Sequence, residues 1–179
     1  TSRGLGDVYK RQIQIRGQPE DFALWESMGA AGWGWPEALR YFIKSESNSR
    51  GASALHGGGG PLAVSDVASR GELVDAFIRG CGELGIPPTD DFNGATQEGA
   101  GYLQLTVRNG RRCSTAVAYL RPARRRANLA VETGAHAERV LFEGTRAIGV
   151  RYRRDGASVE AHARREVILC AGAIQSPQL

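Results

Sequence analysis

The chain ends in the stretch Val-Ile-Leu-Cys-Ala-Gly-Ala-Ile-Gln-Ser-Pro-Gln-Leu, residues 167 to 179. The apolar run 167–170 is typical of a strand buried on both faces. Gly172 follows it and allows close approach of a ligand or of backbone, since it has no side chain. Ser176 is a suitable helix N-cap and Pro177 a suitable first helical residue. The stretch therefore predicts a buried strand, a tight turn and a helix start.

This geometry has two interpretations. In α/β proteins, a strand, a small-residue turn and a helix present backbone N–H groups to a cofactor. The same pattern also describes any corner between a strand and a helix, and such corners are common. The local pattern alone leaves both interpretations open.

The rest of the chain predicts helices first and strands later. Residues 19–46 have the spacing of two short helices, and 71–84 that of an amphipathic helix. Ser114 is expected to cap a helix that runs through Leu120. Strands are expected at 61–64, 129–133, 139–142, 147–153 and 159–163. Asp155-Gly156 favours a tight hairpin turn, so the last four strands form a β-meander that returns into 167–170.

Composition excludes several classes of function. Half of the formal charge of +4 comes from residues 1–12, so the remaining charge is too small to indicate a particular partner. The arginines at 121–126 and 151–154 lack interleaved aromatic residues, which argues against nucleic acid. No run of eighteen apolar residues occurs, so we expect no transmembrane helix. The three cysteines have no paired spacing; we predict buried thiols in a reducing compartment, without disulfides or metal.

Several further motifs occur in order along the chain. They are Ile-Arg-Gly-Gln-Pro-Glu-Asp-Phe at 15–22 with Trp25, Gly-Trp-Gly-Trp at 32–35 with Tyr41-Phe42, Asp-Asp-Phe-Asn-Gly at 90–94, Asn-Gly-Arg-Arg-Cys-Ser at 109–114, Ala-Tyr-Leu-Arg-Pro at 118–122, and Asn128-Leu129 with Thr-Gly-Ala at 133–135. Together with residues 172–179, these motifs resemble those of the glucose-methanol-choline (GMC) oxidoreductases, a family of FAD-dependent alcohol oxidases and dehydrogenases. Residues 172–179 resemble the first half of the second signature of that family. The motifs most resemble those of the bacterial choline-dehydrogenase-like branch.

The resemblance implies FAD as cofactor and a small alcohol as substrate, with the electron acceptor unknown. The position of Ala137 is the one that holds the adenine through backbone N–H and C=O groups, and Val is usual there. Ala171 and Gly172 match the turn next to the pyrophosphate of the cofactor. The resemblance places the catalytic histidine beyond Leu179, so His56, His136 and His162 are expected to be surface or structural histidines. We assign no catalytic residue and no metal ligand.

The resemblance also implies the domain organisation. The fold class is α+β, a fragment of an α/β FAD-binding domain with a β-meander, part of the parallel flavin-binding sheet, helices and part of the substrate-binding domain. Residues 1–12 resemble a translated sequencing adapter of metagenomic origin and are expected to be an artefactual tail. Residues 13–60 form a helical segment attached to the FAD-binding domain, 61–122 part of the substrate-side cap domain, and 123–179 the return into the FAD-binding domain.

The chain is thus expected to be an internal fragment of a bacterial FAD-dependent choline or alcohol dehydrogenase or oxidase, inactive and poorly folded alone. We expect a cytoplasmic location, with peripheral association at the inner membrane as the alternative. Two other functions stay open. One is a hydroxynitrile lyase, because some relatives keep FAD without redox turnover; the other is a binding module without flavin. The alcohol and the oligomeric state are not indicated.

Overall fold

The structure, a computed structural model, describes residues 12–179 and divides into two compact units. The described part of the first unit is 12–126, and the second unit is Ala127–Leu179. Both contain helices and strands, which confirms the mixed α+β class. Of residues 1–12, which are predicted to be an artefactual tail, only Gln12 belongs to the part of the chain that the structure describes.

The described part of the first unit begins with two helices that pack through aromatic rings. Helix α1 is Pro19–Ser27 and helix α2 is Trp35–Ser45, as predicted. Pro19 occupies the first turn of α1, where it needs no N–H partner. The buried Phe22 ring lies 5.3 Å from the Trp25 ring and 5.9 Å from the Phe42 ring, both edge-on. Such edge contacts between rings hold the two helices together.

A short parallel strand pair follows the helices. Strand β1 (Glu46–Asn48) pairs with β2 (Leu62–Val64), with Glu46 opposite Leu62. The glycine-rich segment between them returns close to α2 and β1. The predicted strand at 61–64 is therefore confirmed, whereas β1 falls at the border of the predicted helix and loop.

Helix α3, Glu72–Glu83, confirms the predicted amphipathic helix. Several of its apolar side chains are exposed, with Leu73 88% and Phe77 68% accessible. The small buried core of the first unit lies elsewhere, at Ala63, Cys113 and Ala118.

The end of the first unit contains a hairpin and a helical stretch. Strands β3 (Val107–Arg108) and β4 (Arg111–Arg112) turn at Asn109-Gly110, both with positive φ. The predicted helix through Leu120 has π-helical geometry at Ala116–Leu120 and continues as α4, Arg121–Ala123. The Val117 N–H donates to Ser114 Oγ at 3.4 Å, a long bond for a cap.

The second unit is a three-stranded antiparallel meander followed by a helix. Strands β5 (His136–Glu143), β6 (Arg146–Arg154) and β7 (Ala157–His162) lie in that order. Asp155 and Gly156 have φ values of 50° and 81°, so the Asp-Gly hairpin is confirmed. Helix α5 is Gly172–Gln178.

Three predictions for the second unit are wrong. Residues 129–133 form no strand, and residues 167–170 form no strand either. Ile168 is 73% exposed, because no described neighbouring strand supplies a ladder or covers the apolar run. Helix α5 begins at Gly172 and contains Pro177, so Ser176 is not its cap.

The burial of the cysteines differs from the prediction. Cys113 is buried and Cys81 is intermediate, while Cys170 is exposed on the segment that fails to form a strand. Within residues 12–179, no helix is long and apolar enough to cross a membrane.

Candidate functional site

A cavity of about 560 Å³ in the second unit brings together two of the three predicted cofactor-binding residues. Ala137 on β5 and Ala171 before α5 both line it; Gly172 directly follows Ala171 but is not part of the lining. The remaining wall is formed by β5, β6, α5 and the residues next to them, and most of its side chains are polar. It consists of His136, Glu138, Arg153, Gln175 and Gln178, with Ala135 and Leu179.

Strand β5 offers the cavity a free backbone edge. Within the described residues it pairs only with β6, so it is an edge strand of the meander. Alternate residues of such a strand direct both N–H and C=O away from the partner strand. The register also shifts between Ala137 and Arg139, which leaves Glu138 as the extra residue of a β-bulge. Bulges turn side chains out of the regular pleat, and Glu138 lines the cavity.

Two charged groups of the cavity wall neutralise each other. Arg153 Nη2 lies 2.6 Å from Glu138 Oε1, and Ser158 Oγ donates to Glu138 Oε2 at 3.4 Å. The other polar side chains of the wall are the His136 imidazole and the Gln175 and Gln178 amides. This wall suits a polar, uncharged ring more than a free anion.

The backbone at Ala171 and Gly172 has a special conformation. Gly172 has φ +96°, which L side chains rarely adopt, and a Cβ atom there would meet nothing within 4 Å. The glycine is therefore needed for its backbone angle and not for space. The Ala171 N–H donates to Ser176 Oγ at 3.0 Å, which ties the turn to helix α5.

The three histidines have different surroundings. His136 is exposed and lines the cavity, and His162 is exposed 3.8 Å from Glu160. His56 is buried in the first unit between Glu46 and Asp91. His56 is thus a structural histidine, one of the two roles expected for it.

Sequence reasoning missed a buried polar network in the first unit. Its central ion pair joins Arg16 and Glu46 at 2.7 Å, with both side chains 1% exposed. Around it lie Asn48, His56, Asn93 and Gln104, all buried. Asp91 shapes the turn that follows it, because its Oδ1 accepts the Asn93 N–H at 2.9 Å. Although Asn-Gly pairs favour a positive φ, neither Asn93 nor Gly94 has one. The segments involved are far apart in sequence, so no local pattern indicated their contact.

An exposed ion pair flanks this network. Arg50 Nε donates to both carboxylate oxygens of Asp66, at 3.0 and 3.1 Å, and Gln104 Nε2 donates to Asp66 Oδ1 at 2.9 Å. The hydrogen bond from Arg50 lowers the pKa of Asp66 and raises the pKa of Arg50.

The lowered pKa of Asp66 predicts a dependence of stability on pH. The pair stabilises the fold above the ordinary pKa of Asp66, and this stabilisation is lost as pH falls through the lower folded-state pKa. We expect Asp66→Asn to reduce the free energy of unfolding by less than about 1 kcal/mol at neutral pH, because the pair is half exposed. The reduction should vanish in acid. Urea unfolding across pH measures it, with Asp155→Asn as the exposed control; a constant difference at all pH values contradicts the prediction.

Comparisons with known proteins agree with one another. The family model described as GMC oxidoreductase matches residues 11–179. Mouse mitochondrial choline dehydrogenase is 47% identical over 93% of the chain and 28% of its own length. The oxygen-dependent choline dehydrogenase 1 of Chromohalobacter salexigens is 43% identical over 99% of the chain and 32% of its own length. The chain therefore spans about a third of the length of these relatives.

Solved structures give the same result for the fold. The pyridoxine 4-oxidase structure from Mesorbium loti has a TM-score of 0.83 and 34% identity, over 92% of this chain and 33% of that chain. An FAD-dependent oxidoreductase from Chaetomium thermophilum has a TM-score of 0.86 over 97% of this chain and 33% of that chain. Its identity of 22% supports the likeness of fold alone.

Proposed function

Because the chain belongs to the GMC oxidoreductase family, we propose that it is part of an FAD-dependent enzyme that oxidises a primary alcohol. The observation that carries this proposal is the identity of 43–47% with choline dehydrogenases over nearly the whole chain. A choline-like alcohol is the preferred substrate class. This chain covers about a third of the length of these relatives. The complete gene product would then contain the parts of the fold that the relatives possess outside that third.

The residues of the second unit fit the nucleotide end of FAD. A cavity of about 560 Å³ lies within the range that small-molecule sites occupy. The backbone of β5 at Ala137 would hold the adenine edge, and the Gln175 and Gln178 amides would supply further hydrogen bonds. The turn at Ala171-Gly172 would approach the pyrophosphate without side-chain obstruction.

FAD, when bound, supplies the redox chemistry by accepting a hydride from the carbinol carbon of the alcohol. The described residues would bind and orient the nucleotide end of the cofactor. The Ala171 N–H bond to Ser176 Oγ, at 3.0 Å, would keep the turn in place. In this proposal residues 61–122 contribute to the substrate side, and residues 13–60 are attached to the FAD-binding domain.

A second alcohol is worth testing because of one structural neighbour. The pyridoxine 4-oxidase structure shares 34% identity with this chain, so a hydroxymethyl pyridine is an alternative substrate to choline. The two alcohols differ in charge and shape: choline is a flexible quaternary ammonium, whereas pyridoxine is a flat aromatic ring.

The proposed function is tested with the complete gene product and with the 179-residue chain. We expect the complete product to purify with flavin absorbance and to reduce a dye with choline faster than with pyridoxine. The 179-residue chain is expected to show no turnover, because the resemblance places the catalytic histidine outside it. A colourless, folded complete product without alcohol-dependent dye reduction contradicts the proposal.

The assignment of the cavity as the site for the nucleotide end of FAD is tested by a substitution that places a large side chain in it. Ala171→Phe in the complete product should weaken FAD binding by at least about tenfold, since the ring occupies space that the nucleotide needs. Ala173→Phe is the matched control, because Ala173 is also exposed but lies outside the cavity lining. Isothermal titration of the apoprotein with FAD measures both. Equal affinity in the two variants contradicts the assignment of the cavity.

A further inference from the structure

We propose that Arg153 supplies a planar cation that stacks on the adenine ring of FAD, and that Glu138 holds the guanidinium in place. This inference rests on the proposed function, because it concerns the nucleotide end of the cofactor. It goes further by assigning a residue to the face of the ring, whereas the backbone at Ala137 is assigned to its edge. All three residues belong to the second unit.

Arg153 lies on β6, the strand that pairs with the edge strand β5. In the register of the two strands it is directly opposite His136. The side chains of directly opposed residues in an antiparallel pair lie on the same face of the sheet. Both residues line the cavity of about 560 Å³, together with Ala137. The face of the sheet that carries Arg153 therefore borders the space beside the backbone edge of β5.

The bulge residue Glu138 directs the Arg153 side chain towards this edge. Arg153 Nη2 donates to Glu138 Oε1 at 2.6 Å. Since Glu138 belongs to β5, the pair draws the guanidinium from β6 towards the strand with the free edge. Glu138 Oε2 accepts a long hydrogen bond of 3.4 Å from Ser158 Oγ, and Ser158 lies opposite Arg153 on β7. The carboxylate is thus held by partners on both neighbouring positions of the sheet.

The ion pair itself contributes little to the stability of the fold. The Arg153 side chain is 64% exposed and that of Glu138 is 22% exposed, and exposed pairs stabilise proteins only weakly. Among residues 12–179, Glu138 is the one acidic residue that pairs with Arg153. Most of the Arg153 side chain therefore stays accessible to a ligand in the cavity.

An arginine held in this way suits an aromatic ring better than a free phosphate. A guanidinium is planar and weakly hydrated, and it stacks on aromatic faces. The Glu138 carboxylate offsets its charge, which weakens the attraction for an anion but leaves the planar face accessible. His136 is the other planar group on this face of the sheet, but within the described part of the chain no side-chain partner holds it in position. The geometry therefore favours Arg153 as the group that covers the adenine.

Titration of the apoprotein of the complete gene product with FAD tests the proposal. We expect Arg153→Ala to weaken FAD binding by about tenfold, which is within the range of a desolvated cation–π contact. Arg153→Lys should weaken it by at least about threefold, because lysine keeps the charge but has no plane that stacks. Glu138→Gln should also weaken binding, since the guanidinium loses its charged partner. Isothermal titration calorimetry measures all three affinities.

Arg151→Ala is the matched control. Arg151 also lies on β6 and pairs with a glutamate, Glu160, but it is outside the cavity lining. This variant should bind FAD with the affinity of the wild type. Equal affinities in Arg153→Ala and Arg151→Ala overturn the proposal. Wild-type affinity in Arg153→Lys overturns it as well, because the charge alone would then account for the effect.

A crystal structure of the complete gene product with FAD gives a second readout that needs no variant. The Arg153 guanidinium should lie over the face of the adenine ring, within about 6 Å of the ring centroid. Bound FAD whose adenine lies away from Arg153 overturns this inference and leaves the proposed function intact. A complete product that binds no FAD overturns the proposed function and this inference with it, so the two failures are distinguishable.

Discussion

Replacing Glu46 by Ala lowers the free energy of unfolding of the complete gene product by about 3–5 kcal/mol, the usual effect of breaking a buried ion pair by removing one partner. Glu46 Oε2 accepts hydrogen bonds from Arg16 Nη2 at 2.7 Å and from the Gly57 N–H at 3.1 Å. Without the carboxylate, Arg16 keeps its charge in a site where its side chain is 1% exposed. Its Nε already lacks a partner among the described residues.

Urea unfolding of wild type and variant measures this loss. Glu160→Ala is the matched control, because Glu160 also pairs with an arginine, Arg151, but at a site about a third exposed. We expect that control to lose much less stability than Glu46→Ala, because exposed ion pairs contribute little to folding. If both alanine variants lose the same small amount of free energy of unfolding, the buried network contributes no more to stability than the exposed pair does.

Replacing Gly57 by Ala is expected to cost about 3 kcal/mol through steric conflict. A Cβ atom at Gly57 would lie 1.9 Å from the carbonyl oxygen of Ile43 and 2.6 Å from that of Glu46. Both atoms belong to the backbone at the end of α2 and the start of β1, so a side-chain movement cannot relieve the clash. The glycine-rich segment must move away and thereby lose the Gly57 N–H bond to Glu46.

Gly59→Ala provides the control within the same segment. A Cβ atom there would meet nothing within 4 Å, and no positive φ is required of Gly59. We expect Gly59→Ala to be neutral or slightly stabilising, since alanine restricts the unfolded chain. Thermal melts of the two variants in parallel decide the matter; similar melting temperatures would contradict the close approach at Gly57.

Local chemistry was sufficient to predict several elements. Helix α3 follows from the apolar spacing of Leu73 and Phe77, and the β6–β7 hairpin follows from the positive φ that Asp155 and Gly156 tolerate. Both depend on residues close in sequence. The exposure of Leu73 shows the limit of this reasoning, because the spacing identifies an apolar face but not what covers it.

Elements that depend on distant partners were not predictable in the same way. The run at 167–170 has the composition of a buried strand, but strands need neighbours, and among the described residues none pairs with it. The contact of His56 with Asp91 spans 35 positions and joins a glycine-rich loop to a turn. For the candidate site, the resemblance indicated Ala137 and Ala171 but not the Glu138 bulge, which depends on register.

The exposed thiol of Cys170 can be used to attach a reporter group to the second unit. It directly precedes Ala171, whereas Cys113 is inaccessible in the first unit. An environment-sensitive fluorophore attached at Cys170 would therefore sit at the rim of the proposed adenine cavity and report on nucleotide titrations by a change in emission. The same exposure means that the protein should be purified with a reductant, since accessible thiols readily form mixed disulfides.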